Sequence, residues 1–256
     1  MGIGDELMAA GRAHKISKAN GGSKVRITDP AGNIRWVDIW ERTPWVAKSN
    51  AQASLAITDA GGARPYIASK TPKRWIWQPY SPSPAPFILS DDELNWARQF
   101  SGRIVLSPHI KPKASPNKQW PWANWQKLAR RLNENKLRAI QIRESDKYPL
   151  LDNADSVTPP TFWHAATLLK VAGSAILHEG GLHHASAGVN GKAIVIAGGY
   201  IGRAQTGYCD AQHIWLGTEN AGCGLRVYCQ HCSDEMKKIT PDIVLEQTIG
   251  LLNEQS

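Results

Sequence analysis

Apolar positions along this 256-residue chain fall into two kinds of run, and over the second half the two kinds alternate. Short runs of β-branched and aliphatic residues at 103–107, 138–143, 175–178, 193–197 and 213–216 read as strands. Between them lie segments with helical spacing. Ser90-Asp-Asp-Glu supplies an N-cap and an acidic first turn for a helix reaching about residue 100. An amphipathic helix is expected over 122–133. Pro160, followed by Thr161-Phe-Trp-His, opens another helix; 182–189 and 241–253 complete the set. Strands alternating with helices at this spacing predict a parallel, doubly wound α/β sheet, whose ligands bind in the loops after the strands.

The first half is less regular. A glycine loop at Gly2-Ile-Gly runs into a helix expected over 6–20, followed by strands at 25–28, 34–40, 63–67 and 74–77. The stretch 78–86 carries four prolines and continues neither a helix nor a central strand. It reads as a linker, dividing the chain into 1–88 and 89–256.

Composition narrows the function. A hydrophobic fraction of 42% and a charged fraction of 20% suit a soluble globular protein. No run approaches the roughly 18 apolar residues of a membrane span, and the start lacks a signal-like apolar segment, so a cytoplasmic location is expected. The net charge of +8 points to anionic partners: nucleotide-sugars, phosphorylated glycans or nucleic acid. Among the eleven Trp, Trp36, Trp40, Trp45, Trp75 and Trp77 are candidates for stacking on bases or sugars, against the ordinary role of anchoring a core. The four cysteines, Cys209, Cys223, Cys229 and Cys232, together with His213 and His231, could hold zinc. They lack paired C-x2-C knuckles, and reduced structural thiols are the favoured reading.

The segment richest in chemistry is His178-Glu-Gly-Gly-Leu-His-His-Ala-Ser-Ala-Gly, a strand, a glycine turn and a helix. Adjacent Gly180 and Gly181 let an anion approach the backbone, and the helix start offers unpaired N–H groups and a positive dipole end. A tight turn with no ligand has the same appearance.

This segment resembles the D-[TS]-G-x-x-H-L-A-A-A signature of glycosyltransferase family 9, the ADP-heptose:lipopolysaccharide heptosyltransferases. Glu179 stands at the family's Asp, Gly181 at its glycine and His184 at its histidine. Lys118, Trp120, Pro121 and Trp125 are similar in register to the family's K-x-W-P-x-x-x-W. Gly2-Ile-Gly-Asp-Glu-Leu resembles its N-terminal G-x-G-D-x-L loop, and Met236-Lys-Lys-Ile-Thr-Pro-Asp resembles its tail. The resemblance implies a GT-B architecture of two Rossmann-like domains, the N-terminal one small and facing the acceptor, the C-terminal one holding the donor. It implies Asp5 as the base that takes the acceptor's proton, with helix capping as its alternative role. Lys118 would meet the donor diphosphate as a point charge, aided by backbone donors near Gly181, so no metal is required. Ser107, His109, Glu144, Glu179, Gly180, His183 and His184 are the further donor-binding candidates.

The sequence departs from the family in three places. It opens directly on the glycine loop, its N-terminal half is about half the usual size, and Glu179-Gly180 replaces Asp-Thr or Asp-Ser. The acceptor is therefore left open between a phosphorylated glycan and a modified base in DNA. Two other classes compete: a non-catalytic nucleic-acid-binding protein with a C-terminal Cys/His zinc element, and an oxidoreductase using Gly2-Ile-Gly as a dinucleotide loop. The lone G-x-G ranks the second of these last.

Overall fold

The computed structural model describes residues 2–58, 64–210, 212–219 and 221–253. Helix α1 (Ile3–Ala19) comes first, followed by β1 (Val25–Thr28) and β2 (Leu55–Thr58), which pair in parallel. The antiparallel hairpin β3 (Ile67–Lys70) and β4 (Trp75–Trp77) comes next.

Three sequence expectations change here. Gly2 is the extended N-cap of α1, so the helix begins three residues earlier than expected and no glycine loop precedes it among the described residues. The stretch 34–40 is not a strand. Ile34 makes a single bridge to Thr28, and Asp38–Arg42 is a 3₁₀ turn that buries Trp40 against α1, its Nε1 donating to the Glu6 carbonyl at 2.9 Å. The strand expected at 63–67 begins at Ile67, and Ala63 itself lies outside the described residues.

The second half alternates as the pattern requires. Its helices are α2 (Asp91–Ala97), α3 (Trp122–Glu134), α4 (Phe162–Val171), α5 (Gly181–Gly188), α6 (Arg203–Thr206), α7 (Gln230–Lys238) and α8 (Pro241–Asn253). Strands β5 (Ile104–Ser107), β6 (Ala139–Ile142), β7 (Asp155–Val157), β8 (Ser174–His178), β9 (Ala193–Gly198) and β10 (His213–Gly217) form one parallel sheet in the order β10-β9-β8-β5-β6-β7. Capping side chains fix where helices start. Ser90 and Glu93 cap α2 reciprocally, and Thr161 accepts the His164 N–H at the start of α4.

Strand side chains alternate between two apolar layers. Val105, Ala175, Leu177 and Val195 face α1, α4 and α5, whereas Leu106, Ile176, Ile194 and Ile196 face α3, α7 and α8. Because α1 lies in the first layer, its Leu7 and Ala10 share one core with the sheet and with Val25 and Ile27 of β1. Residues 78–90 contain neither helix nor strand and cross this layer as a strap. No described helix is long and apolar enough to cross a membrane.

Candidate active site

The strand order reverses between β5 and β8, the place where an open parallel sheet leaves a crevice at its carboxyl edge. A cleft of about 860 Å³ opens there. Its floor is the end of β5 at Ser107 and the end of β8 at His178, with Glu179, Gly180 and the start of α5 beside them.

The start of α1 abuts the start of α5. A methyl group placed on Gly4 would stand 2.6 Å from His184 Cδ2 and 3.5 Å from the Gly181 nitrogen, so only glycine permits this approach. By helix geometry the first N–H groups of each helix lack intrahelical acceptors. Two positive dipole ends therefore converge on one cleft.

Side chains add charge to that wall. Lys118, from the 3₁₀ turn Pro116–Lys118, is ion-paired to Glu179. Burial alone would raise the Glu179 pKa, but the Lys118 ammonium beside it outweighs this, and the carboxylate is held below its ordinary value. His184 accepts or donates through Nδ1 to the Tyr208 hydroxyl at 2.9 Å, and its Nε2 lies 3.9 Å from Glu179. Burial lowers its pKa to about 4, so it is neutral at pH 7. The cleft is lined by six cations (Arg64, Lys111, Lys113, Lys118, Arg143 and Arg226) against three carboxylates, Asp5, Glu144 and Glu179. It is an electropositive trough.

Asp5 occupies the third position of α1 and faces the cleft. Its Oδ2 accepts from the Gly2 N–H at 3.2 Å and from Arg64 Nε at 2.9 Å, and its Oδ1 accepts from the Tyr66 hydroxyl at 2.7 Å. It thus both caps the helix and lines the site. Burial first, and then the charge of Asp5, push the Tyr66 pKa up, so the phenol stays protonated and remains a donor.

The expected residues Asp5, Ser107, His109, Lys118, Glu144, Glu179, Gly180, Gly181 and His184 all line this one cleft. His109 is held between the rings of Tyr148 and Trp122, at 4.3 and 5.5 Å. His183 is not in the lining. It is wholly buried, packed against Tyr208, His213 and Trp215, because neighbouring residues on a helix point about 100° apart. Only its backbone N–H faces the helix start.

Sequence reasoning missed Arg64, Tyr66, Lys111, Arg143 and Arg226. Arg143 carried a usable signal, since it follows β6 directly. Arg64 and Tyr66 carried none, reaching Asp5 from 59 and 61 residues away.

The tryptophans are packed rather than presented. Trp40 is fully buried. Trp36 and Trp45 pack against the core around α1. Trp77 lies against Tyr66 and Tyr200, and Trp75 is covered by Arg64 and Arg226, at 4.5 and 4.2 Å.

The four-cysteine set shrinks to three. Cys223, Cys229 and Cys232 bring their sulfurs within 4.8 Å of one another, while exposed Cys209 and buried His213 stand outside the group. The Cys223–Cys229 separation of 3.6 Å matches the roughly 3.8 Å edge of a tetrahedron built with metal–sulfur bonds of about 2.3 Å. The trio fits three corners of a site for a thiophilic cation, and no fourth Cys, His, Asp or Glu joins it among the described residues.

An electropositive cleft at the switch point of a parallel sheet, with two helix starts aimed into it, can hold a polyanion. Several solved structures of similar fold are glycosyltransferases. A family 9 glycosyltransferase from Veillonella parvula superposes with a TM-score of 0.66 at 12% identity, covering 99% of this chain and 95% of that one. The iron-containing dodecameric glycosyltransferase TibC of enterotoxigenic E. coli gives a TM-score of 0.61 at 12% identity, covering 100% and 74%. E. coli ADP-heptose LPS heptosyltransferase II gives 0.51 at 17% identity, covering 72% of this chain and 56% of that one, so the chain spans little more than half of that enzyme. No protein-family model matches the sequence, and no curated protein matches it.

Proposed function

We propose that this protein transfers a sugar from a nucleoside-diphosphate donor to a hydroxyl of an anionic acceptor, with inversion at the anomeric carbon and without a metal in the transfer step. One observation carries the reading: the starts of α1 and α5 converge beside Lys118, on a cleft that also holds Asp5. The donor's diphosphate lies against the N–H groups at 181–183 and the ammonium of Lys118. The nucleoside extends toward His109, Arg143 and Glu144 at the ends of β5 and β6. Residues 1–88 present the acceptor.

The chemistry follows from the charges. The acceptor oxygen attacks the anomeric carbon as the bond to the diphosphate breaks, and that bond's electron pair leaves on the phosphate oxygen. Positive helix ends and Lys118 stabilise this growing negative charge more strongly than they stabilise the ground state. The acceptor's proton passes to Asp5. A carboxylate offers about four lone-pair positions, and three are engaged by Gly2, Arg64 and Tyr66. One remains on Oδ1. The three thiols stand apart from this chemistry, and a cation among them would act on the loop 223–229 rather than on the diphosphate.

A thermal-shift panel of ADP, UDP and GDP tests the reading. One of them should raise the melting temperature by linkage, the shift should persist in EDTA, and Lys118→Ala should abolish most of it. Absence of a shift with all three, at millimolar concentration, rejects a nucleotide site.

A further inference from the structure

The loop 223–229, between β10 and α7, is nearly a closed ring. One end is pinned to the segment after β9: the Cys223 N–H donates to the Gly199 carbonyl at 3.1 Å, and the Gly224 N–H donates to that of Tyr200 at 3.2 Å. The other end is pinned to a different element, the Cys229 N–H donating to Asn117 Oδ1 at 2.9 Å. The same Asn117 amide fills the ring, its Nδ2 donating to the Leu225 and Val227 carbonyls at 2.9 and 2.8 Å. At the neck of the ring the sulfurs of Cys223 and Cys229 lie 3.6 Å apart.

Two independently anchored stretches of backbone therefore bring these thiols together. The sulfurs of a disulfide stand about 2.0 Å apart, so the pair has roughly 1.5 Å to close, a gap that rotation of two short side chains covers. Cys232 completes a trio of sulfurs within 4.8 Å, but it is fully buried in a cluster with Met8, Tyr66 and Tyr200, whereas Cys223 and Cys229 are partly exposed. A reagent in solution reaches the pair first. A closed metal site takes four ligands, and no fourth Cys, His, Asp or Glu joins the trio among the described residues. A disulfide needs only the pair.

The loop also reaches the cleft. Arg226, at its middle, lines the cleft and lies over Trp75 at 4.2 Å, and its guanidinium donates to the Lys113 carbonyl at 3.2 Å. Asn117 directly precedes Lys118, whose ammonium is paired to Glu179. A bond across the neck traps the Asn117 side chain inside the ring. It thereby fixes both the turn that carries Lys118 and the seat of Arg226.

We propose that Cys223 and Cys229 are a thiol–disulfide switch, whose oxidation closes the ring around Asn117 and stiffens this wall of the cleft. The switch requires nothing of the transferase reading, and its test uses no nucleotide. Its oxidant is a low-molecular-weight disulfide such as oxidised glutathione. One protein thiolate attacks a sulfur of that disulfide, the reagent's S–S bond breaks, and one reagent thiolate leaves. The second protein thiolate then attacks the protein's sulfur in the mixed disulfide. An S–S bond forms between Cys223 and Cys229, and the second reagent thiolate leaves. Two protein thiols lose two electrons, the reagent disulfide gains them, and two protons pass through water to the departing thiolates. A dithiol reductant reverses both steps.

The experiment treats the wild-type protein, and a Cys209→Ser/Cys232→Ala variant that keeps only the proposed pair, with oxidised glutathione. Remaining thiols are then alkylated and the proteins digested with trypsin. Trypsin cuts after Arg226, so the disulfide leaves two peptides joined. Joined peptides should appear from both proteins and separate in dithiothreitol. Hydrogen exchange at the Gly224, Arg226 and Cys229 N–H groups, each hydrogen-bonded, should slow by at least about tenfold on oxidation. Absence of joined peptides from the wild type overturns the switch. Joined peptides from the wild type but not from a cooperatively melting variant assign the bond to another thiol and overturn the pair. Fragmentation of the wild-type peptides by mass spectrometry places the bond at Cys229 or Cys232 whether or not the variant folds. Thiols that resist oxidised glutathione until a chelator removes a bound metal assign the trio to a cation and overturn the disulfide. Equal exchange rates in the two redox states overturn the stiffening.

Discussion

Asp5 shows what a single residue reveals and conceals in sequence. Its place ahead of an apolar helix marked both readings, cap and base, and the structure has it accept from the Gly2 N–H and line the cleft. Its partners were invisible, because Arg64 and Tyr66 are brought to it by the fold of the β3 segment and no local pattern announces a contact across about 60 residues. The pair also sharpens a prediction. Asp5→Asn keeps an oxygen for the Gly2 N–H but loses the negative charge that accepts a proton. Nucleotide binding should be retained, at some cost in melting temperature because Arg64 loses its ionic partner, while transfer should fall by a factor on the order of 10² to 10⁴. Full turnover by this variant, measured as release of nucleoside diphosphate, would remove Asp5 from the base role.

Elements were legible where periodicity is strong. Strand β1 and helix α8 match their expected bounds, and the capping pattern at Ser90 placed α2. Short elements with no apolar stripe were not legible. β7 is a three-residue edge strand, and α6 is a single turn. The prolines of 78–86 marked a stretch without helix or strand, read as a linker, but its seating across α1 and α5 was not legible. A methyl on Gly11 of α1 would lie 1.9 Å from the Ser83 carbonyl oxygen, and one on Gly188 of α5 would lie 2.5 Å from that of Ala85. The obstructing atoms are backbone and cannot rotate away. Gly11→Ala should therefore destabilise the protein by about 1–3 kcal/mol despite alanine's better helix propensity. A urea midpoint equal to or above that of the wild type would show that the strap yields.

Across the whole molecule, three buried histidines set the response to acid. Burial lowers His178 to about 3 and His184 to about 4, and it holds His183 well below the ordinary value. In the unfolded chain each titrates near 6.5. Above that pH both forms are neutral and the groups add no pH dependence. Below it only the unfolded chain takes up protons, so stability falls with pH, each histidine contributing up to about 1.4 kcal/mol per unit until its folded pKa is reached. Urea midpoints should be level from pH 8 to 7 and drop steeply between pH 6 and 5. A flat profile through that window would mean that the three rings are solvated.

The contact of Gly4 with His184 has a further consequence for how such a cleft works. Two-lobed enzymes often spend part of their ligand's affinity on swinging shut. Here α1 and α5 touch at their tips, share a core and lie under one strap, so the gap between Asp5 and the start of α5 is set when the chain folds. On the transferase reading proposed above, substrates would meet jaws of fixed gauge, and their arrival would call for an exchange of ionic partners by Lys118 and Arg64 rather than the swing of a lobe.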